Sequence, residues 1–410
     1  MQKYDYLIIG GGIAGVTAAE TLREQRPDAS IGILCAEPHP LYSKVLLPSY
    51  LKGRINREKL FLRNTDDFLR RRIDLHLLAE VVDIDMRWRE VRLENHLSYY
   101  FDTLLIASGG SVKSWGTADT AQFVYRLHTL DDADHLFDVL TRITAPCVVG
   151  SSLIGMEFLE IFALNGIPPK LLSREPHYFS QCLDPQGSAM LVEQLSRRGV
   201  ECIFGDSVRE VTRQEAGMMI DTHLLRQFPA DAIAVGVGLD RNMGFLKSSG
   251  IALGERGVLT NEYLETNIKG VYAAGDVAEV FDTRTQQYRT VGNWTNSFLQ
   301  GRLAGLNMSG ERGIFRQVPS YSIMNFGLQF TVVGDCDSGN GVETIVRMDA
   351  QRLQYERFFL REGTLRGAVL VNRFGDKQQV IALIERGTPI TAYRAALATL
   401  TFDIHSISPV

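Results

Sequence analysis

Short apolar runs recur along this chain, each closed by a glycine or by a turn of small residues. Residues 4–9 read as a buried strand, the glycine-rich turn 10–15 follows, and residues 16–26 carry helical periodicity up to Pro27. Residues 30–35 give a second strand. The same succession returns later: a strand at 147–149, a turn at 150–155, a helix at 156–165 closed by Gly166, and a strand at 170–172. Between the two copies, residues 81–101 alternate apolar and polar positions and predict an antiparallel meander, and residues 102–109 predict a further apolar strand. Residues 231–237 and 270–274 are two more strands, and residues 294–308 predict a helix. From Pro319 the pattern changes to strands at 329–333, 342–348, 353–360 and 364–371, then a helix at 377–386 stopped by Gly387. The pattern predicts an α/β chain of two Rossmann-like folds followed by a small α+β module.

The first turn spells G-x-G-x-x-G. Gly10 permits the tight turn, Gly12 lets a pyrophosphate approach the backbone, and Gly15 brings helix against strand, with Ile13 and Ala14 at the helix N-terminus where phosphates rest. Glu37, about twenty residues past the last glycine, is placed to bind ribose hydroxyls. Ser108 and Gly109 end a strand in small residues, so the chain passes close to a bound nucleotide there. Gly275 and Asp276 lie at the carboxyl end of strand 270–274, where α/β folds place ligand contacts, and Asp276 is suited to accept hydrogen bonds from a ribityl chain. An ordinary helix N-cap is the plainer role for Asp276. A dinucleotide cradle joined to an acid that meets a polyol describes a pocket for FAD, which implies an oxidoreductase.

The second turn, Gly150, Ser151, Ser152, Leu153, Ile154 and Gly155, implies a second nucleotide, NAD(H) or NADP(H). Ser152 replaces the middle glycine, and its side chain either crowds the phosphate or donates a hydrogen bond to it. Gly236, on the returning strand 231–237, is counted with this site. At the end of strand 170–172 stand Ser173 and Arg174, where a carboxylate would select a bare 2′-hydroxyl. An arginine without that acid can meet a 2′-phosphate, whereas a solvent-facing Arg174 beside Glu175 would leave the nucleotide undecided.

With 410 residues the chain exceeds one hydrophobic core, and its net charge of -5 argues against nucleic acid or an anionic membrane as partner. Cys35, Cys147, Cys182, Cys202 and Cys336 form no CxxC and are widely spaced, so we expect reduced thiols, no metal site and a cytoplasmic location. No apolar run reaches the roughly 18 residues of a spanning helix, so no membrane insertion is expected.

With these motifs in this order, the chain resembles the FAD-dependent pyridine nucleotide-disulfide oxidoreductase superfamily over essentially its whole length. Residues 40–53, from Pro40 to Gly53, and Asn293-Trp294 with residues 300–310 are similar to the branch of NAD(P)H:rubredoxin reductases and of the flavin domain of NADH-dependent nitrite reductases. The resemblance implies a glutathione-reductase-like arrangement: an FAD domain from 1–112 and 242–317, an NAD(P) domain from 113–241, and an interface or docking domain from 318–410. It also implies a lysine beside the flavin N5 paired to a glutamate, for which Lys44 and Glu157 are the matching residues. The helix beginning at Trp294 would point its N-terminus at the flavin pyrimidine edge. Ferredoxin reductases of the aromatic-dioxygenase kind place the lysine where this chain has Ser49.

One departure carries weight. Relatives that work through disulfides or a sulfenate keep cysteine shortly after the first βαβ unit, yet residues 38–60 contain none. The resemblance then implies electron transfer between a nicotinamide nucleotide and a protein carrier, either a rubredoxin, a ferredoxin or the iron-sulfur subunits of a larger complex. An NAD(P)H oxidase using oxygen is one alternative, and a flavin redox sensor or scaffold like the apoptosis-inducing-factor-like flavoproteins is another.

Overall fold

The computed structural model describes residues 2–116, 123–215 and 217–408, and their contacts divide the chain into two units. The first comprises Met1–Tyr50, Ile55–Val112 and Leu239–Arg316; the second comprises Leu51–Arg54, Lys113–Gly238 and Gln317–Val410.

In the first unit, Gln2–Ile9 lies between Ile31–Leu34 and Ser98–Ile106, all parallel, with Ile8 opposite Ile33 on one side and Leu105 on the other. Asp74–His76 extends the sheet beyond Ile31–Leu34, and Val271–Ala273 pairs parallel with Ser98–Ile106. Strands covered on both faces read as unbroken apolar runs rather than alternation, which is why Ile31–Leu34 is buried at all four positions. The expected separation between a meander at 81–101 and a strand at 102–109 does not exist. Ser98–Ile106 is one strand, antiparallel to Glu90–Leu93 near its start and parallel to Gln2–Ile9 along its length. No glycine or proline interrupts residues 98–106, so the chain has no place to turn. The helices Ile13–Gln25 and Trp294–Met308 pack through small residues, Ala14 and Ala18 against Gly301 and Gly305.

In the second unit, five parallel strands run in the order Glu201–Phe204, Lys170–Ser173, Pro146–Val149, Ala232–Val235 and Val124–Tyr125. The apolar helix Leu153–Leu164 follows the glycine turn. The C-terminal module is an antiparallel sheet ordered Ser320–Asn325, Leu328–Gly334, Thr364–Val371, Gln354–Arg361 and Glu343–Asp349. Its first strand lies outside the four that periodicity predicts. Val380, Leu383 and Ile384 of the helix Lys377–Arg386 close one face over Val333, Phe358 and Leu370. Opposite them, Tyr355 sets its hydroxyl 3.2 Å from Asp184 Oδ1, and Arg357 Nη1 donates to the Cys182 carbonyl at 3.4 Å. The module therefore packs onto the second dinucleotide fold.

Candidate dinucleotide-binding sites

The glycines of the first turn divide by what surrounds them. A Cβ on Gly10, whose φ is +119°, would overlap the Ala107 carbonyl, and one on Gly15 would overlap the Gly10 carbonyl. These two serve the fold. Gly12 has no atom within 4 Å of such a Cβ, so its missing side chain keeps space open for a ligand instead. Gly12 also caps the helix Ile13–Gln25 without a side-chain bond, which leaves the first helical amides, at Ile13 and Ala14, facing an anion site.

Around this turn stand the other residues singled out from sequence. Ser108 Oγ donates to the Asn242 carbonyl at 2.9 Å, and Asn242 returns its Nδ2 to the Ser108 carbonyl at 3.1 Å and its amide to the Gly109 carbonyl at 3.1 Å. Gly275 donates its amide to Gln300 Oε1 at 2.7 Å, and Asp276 Oδ1 accepts from Ser297 Oγ at 3.0 Å. Asp276 does not cap the long helix, because Asn293 does so by accepting the Asn296 amide at 2.8 Å. Trp294, half-buried, opens that helix and packs against the first unit's core. Sequence reasoning missed Arg241. Its Nε is buried without a hydrogen-bond partner, and a Cβ on Gly292 would lie 3.6 Å from its Nη2 and 3.9 Å from Asp276 Oδ1. An arginine with a buried, unpaired Nε that shares the surroundings of Gly292 with Asp276, and open space at Gly12, fits a dinucleotide carrying both phosphates and a polyol.

Glu37 and Lys44 form a local pair. Lys44 Nζ donates to Glu37 Oε1 at 2.9 Å, and the Tyr42 hydroxyl donates to Glu37 Oε2 at 2.5 Å. Lys44 thus attends the carboxylate expected at the ribose, rather than pairing with Glu157. The partner of Glu157 is Lys52, whose Nζ lies 2.5 Å from Glu157 Oε2 and also contacts Glu160 Oε2. The lysine side chain is 2% exposed. Residues 40–53 hold two lysines, Lys44 and Lys52, and the one paired with Glu157 is Lys52, not Lys44 as the resemblance implies.

In the second turn, Ser152 is engaged within the fold. Its Oγ accepts the Gly155 amide at 3.1 Å as the N-cap of Leu153–Leu164 and donates to the Gly236 carbonyl at 2.8 Å. The hydroxyl's one proton is thus spent inside the fold, and one of its lone pairs caps the helix. Gly236 is fixed by the same contact, since a Cβ there would stand 2.8 Å from Ser152 Oγ and 2.9 Å from the Gly155 nitrogen. Leu153 and Ile154 begin the helix, with Ile154 exposed. Gly150 carries φ +101° at the end of Pro146–Val149.

Ser173 is buried, its Oγ 2.9 Å from Ser151 Oγ and accepting the Glu175 amide at 3.2 Å. Glu175 Oε2 accepts from Ser180 Oγ at 2.5 Å. Arg174 is exposed and makes no ion pair among the described residues.

The five cysteines are all unpaired. Burial pushes the thiols of Cys147, Cys182 and Cys202 up to about 12, and burial with the nearby Cys182 raises that of Cys336 well above its usual value. Cys35 is the one cysteine of the first unit. Burial and the nearby Glu37 carboxylate raise its pKa, so it stays a thiol. Among the described residues no group of three or more His, Cys, Asp or Glu could hold a metal, and no helix is long and apolar enough to cross a membrane.

Comparison with known proteins follows this geometry. A profile described as pyridine nucleotide-disulphide oxidoreductase matches residues 4–301, and one described as rubredoxin NAD+ reductase C-terminal domain matches residues 319–388. The NADH-dependent phenylglyoxylate dehydrogenase subunit epsilon of Aromatoleum evansii is 26% identical over 402 residues, covering 96% of this chain and 94% of that protein. Apoptosis-inducing factor 3 of Mus musculus is 27% identical over 409 residues, covering 98% of this chain and 65% of that protein. Among solved structures, a ferredoxin reductase from Rhodopseudomonas palustris superposes with a TM-score of 0.90 at 22% identity, covering 98% of this chain and 99% of that one.

Proposed function

The chain belongs to the pyridine nucleotide-disulphide oxidoreductase family, whose members use FAD and a nicotinamide nucleotide, and we propose that it moves electrons between NAD(P)H and a one-electron protein carrier. The observation that carries this reading is the state of Cys35: the single thiol of the unit that holds the flavin cradle is buried and kept protonated. Together with the absence of cysteine from residues 38–60, this supports a route out of the flavin that does not pass through sulfur. The bound flavin would supply the conversion of a two-electron donor into single electrons.

The chain's own residues do the rest. Gly12 and the helix amides at Ile13 and Ala14 receive the pyrophosphate, Asp276 with Arg241 holds the ribityl end, and Glu37 holds the ribose. The lysine–glutamate pair that the resemblance expects is matched here by Lys52 with Glu157, rather than by Lys44. The C-terminal module, matched as a rubredoxin reductase domain, supports a small redox protein as partner, either a rubredoxin, a ferredoxin or iron-sulfur subunits. The relative from Aromatoleum evansii is itself a subunit of a larger dehydrogenase. A cytoplasmic location rests on five unpaired thiols.

The test is an anaerobic titration of the purified flavoprotein with NADH and with NADPH, followed by addition of oxidised rubredoxin, a ferredoxin or oxygen. Bleaching by a nucleotide and fast reoxidation by a protein carrier, unchanged after alkylation of free thiols, is expected. Turnover on oxygen alone at comparable speed, reduction without turnover on any acceptor, or loss of turnover on alkylation would each defeat the proposal.

A further inference from the structure

Arg174 opens a stretch, residues 174–184, that carries neither helix nor strand and runs from the end of Lys170–Ser173 to the helix Pro185–Ser196. Loops of that length are uncommon inside a compact fold and need anchors to hold one shape. Two tyrosines, both fully buried, supply them within the second unit.

Tyr178 stands in the middle of the loop. Its hydroxyl donates to the Ser152 carbonyl in the second glycine turn at 3.1 Å, and its amide donates to Ser188 Oγ, in the first turn of Pro185–Ser196, at 2.9 Å. Immediately after it, Phe179 bends the chain with a left-handed φ of +51°, and its carbonyl accepts the amides of Cys182 and Leu183, each at 2.9 Å. Residues 178–184 therefore form a closed turn rather than a slack segment. Tyr355 holds the far end from the C-terminal module. Its hydroxyl bridges Asp184, accepting the amide at 3.4 Å and donating to Oδ1 at 3.2 Å, while the same Oδ1 caps the helix by accepting the Gly187 amide at 2.7 Å. A Cβ on Gly187 would lie 2.6 Å from the Tyr355 ring, so the ring rests directly on the start of that helix. Ser188, the next residue, is the one that receives Tyr178.

We propose that Tyr178 and Tyr355 are positioning residues for the choice between NADPH and NADH: together they fix the loop that begins at Arg174 against the phosphate turn, so the C-terminal module takes part in selecting the nucleotide. The inference rests on reading the second glycine turn as the nicotinamide-nucleotide site, with Arg174 meeting a 2′-phosphate. The Ser152 carbonyl also accepts the Met156 amide at 3.0 Å, so the turn keeps its shape without Tyr178. What goes with the tyrosine hydroxyl is the tether of the loop. A loosened Arg174 must be ordered again when a 2′-phosphate binds, a cost that NADH, which makes no such contact, does not meet.

The experiment is isothermal titration of the FAD-loaded protein with NADP+ and with NAD+, oxidised forms that leave the flavin unreacted, with thermal unfolding as a second readout. Tyr178→Phe and Tyr355→Phe keep both rings in place and remove only the hydroxyls. Tyr178→Phe is expected to weaken NADP+ by about fivefold, the worth of one hydrogen bond, and to leave NAD+ within about twofold. Tyr355→Phe is expected to act in the same direction by a smaller factor. Arg174→Ala is the control for the underlying reading. If it lowers NADP+ affinity while either tyrosine variant leaves the ratio of the two affinities at its wild-type value, the proposal is overturned. Equal losses for both nucleotides would reduce the tyrosines to braces of the fold and overturn it as well. If Arg174→Ala itself leaves the ratio unchanged, the 2′-phosphate contact falls and takes the proposal with it, and if the wild-type protein binds neither nucleotide, the reading of the site falls first.

Discussion

Gly301 and Ala14 touch backbone to backbone: a Cβ on Gly301 would lie 2.8 Å from Ala14 Cα and would overlap the Ala14 carbonyl oxygen. The helix Trp294–Met308 can approach the glycine-turn helix only because position 301 has no side chain. Gly301→Ala should therefore cost about 1–3 kcal/mol by overpacking, read by urea unfolding of the apoprotein. Reduced FAD content should accompany it, since Asp276 and the phosphate turn would be forced apart.

Gly12→Ala should behave in the opposite way. With nothing within 4 Å of the new methyl group, apoprotein stability should fall by no more than about 1 kcal/mol. FAD affinity should fall at least about tenfold, or about 1.4 kcal/mol. Isothermal titration of apoprotein with FAD separates the two effects, and normal FAD affinity would show that phosphate does not use this space.

Ser152→Ala removes a helix cap and leaves the Gly236 carbonyl short of a donor. A stability loss of about 1–3 kcal/mol is expected. The Kd for NAD(P)H should change by less than about tenfold, because the hydroxyl faces the fold. A large loss of nucleotide affinity at unchanged unfolding temperature would place the hydroxyl on the phosphate after all.

Arg174 is exposed just past the end of the strand Lys170–Ser173, and the neighbouring Glu175 carboxylate is held by Ser180. NADPH should bind more tightly than NADH. Arg174→Ala should weaken NADPH by about 1.5–3 kcal/mol, the worth of a charge-assisted hydrogen bond, and leave NADH unmoved. Fluorescence titration of both nucleotides decides it; equal losses for the two would remove Arg174 from their discrimination.

His76 gives the first unit a pH dependence. Its Nε2 lies 2.8 Å from the Tyr4 hydroxyl and its Nδ1 3.4 Å from the Tyr99 hydroxyl, and burial lowers its pKa below 6.5 despite the opposing pull of Asp74. With a depressed folded value, the unfolded chain takes up the proton first. The stability His76 contributes is full above pH 6.5 and declines as pH falls through the folded value. Unfolding temperatures measured from pH 8 to about pH 5 should show that decline, and His76→Gln should flatten it.

Much of this was legible from the chain. Glycine spacing, apolar strand runs and the helix stop at Gly387, which has φ +61°, are local signals, and the elements they mark are present. Helix 377–386 and strand 364–371 have the ends that periodicity gives them. What failed were relations between distant residues. Nothing near Lys44 announces that it turns to Glu37, or that Lys52 meets Glu157 across 105 positions. Arg241 was missed because its environment, with Gly292 and Asp276, comes from a remote stretch of sequence. Ser152 also has a local role, since a serine before a helix is a favoured N-cap and it caps Leu153–Leu164 here. The strand Ser320–Asn325 escaped because its polar residues alternate weakly with Tyr321 and Ile323.

Four residues from the early chain, Leu51–Arg54, belong by their contacts to the second unit. Any fragment excised as residues 113–410 would leave Glu157 and Glu160 without their ammonium, two acids one helical turn apart in a dry interior. Breaking such an arrangement costs about 3–5 kcal/mol, so the isolated piece is expected to be less stable. A lysine lent by the early chain thus makes the electroneutrality of the second unit depend on four residues far upstream of the rest of it.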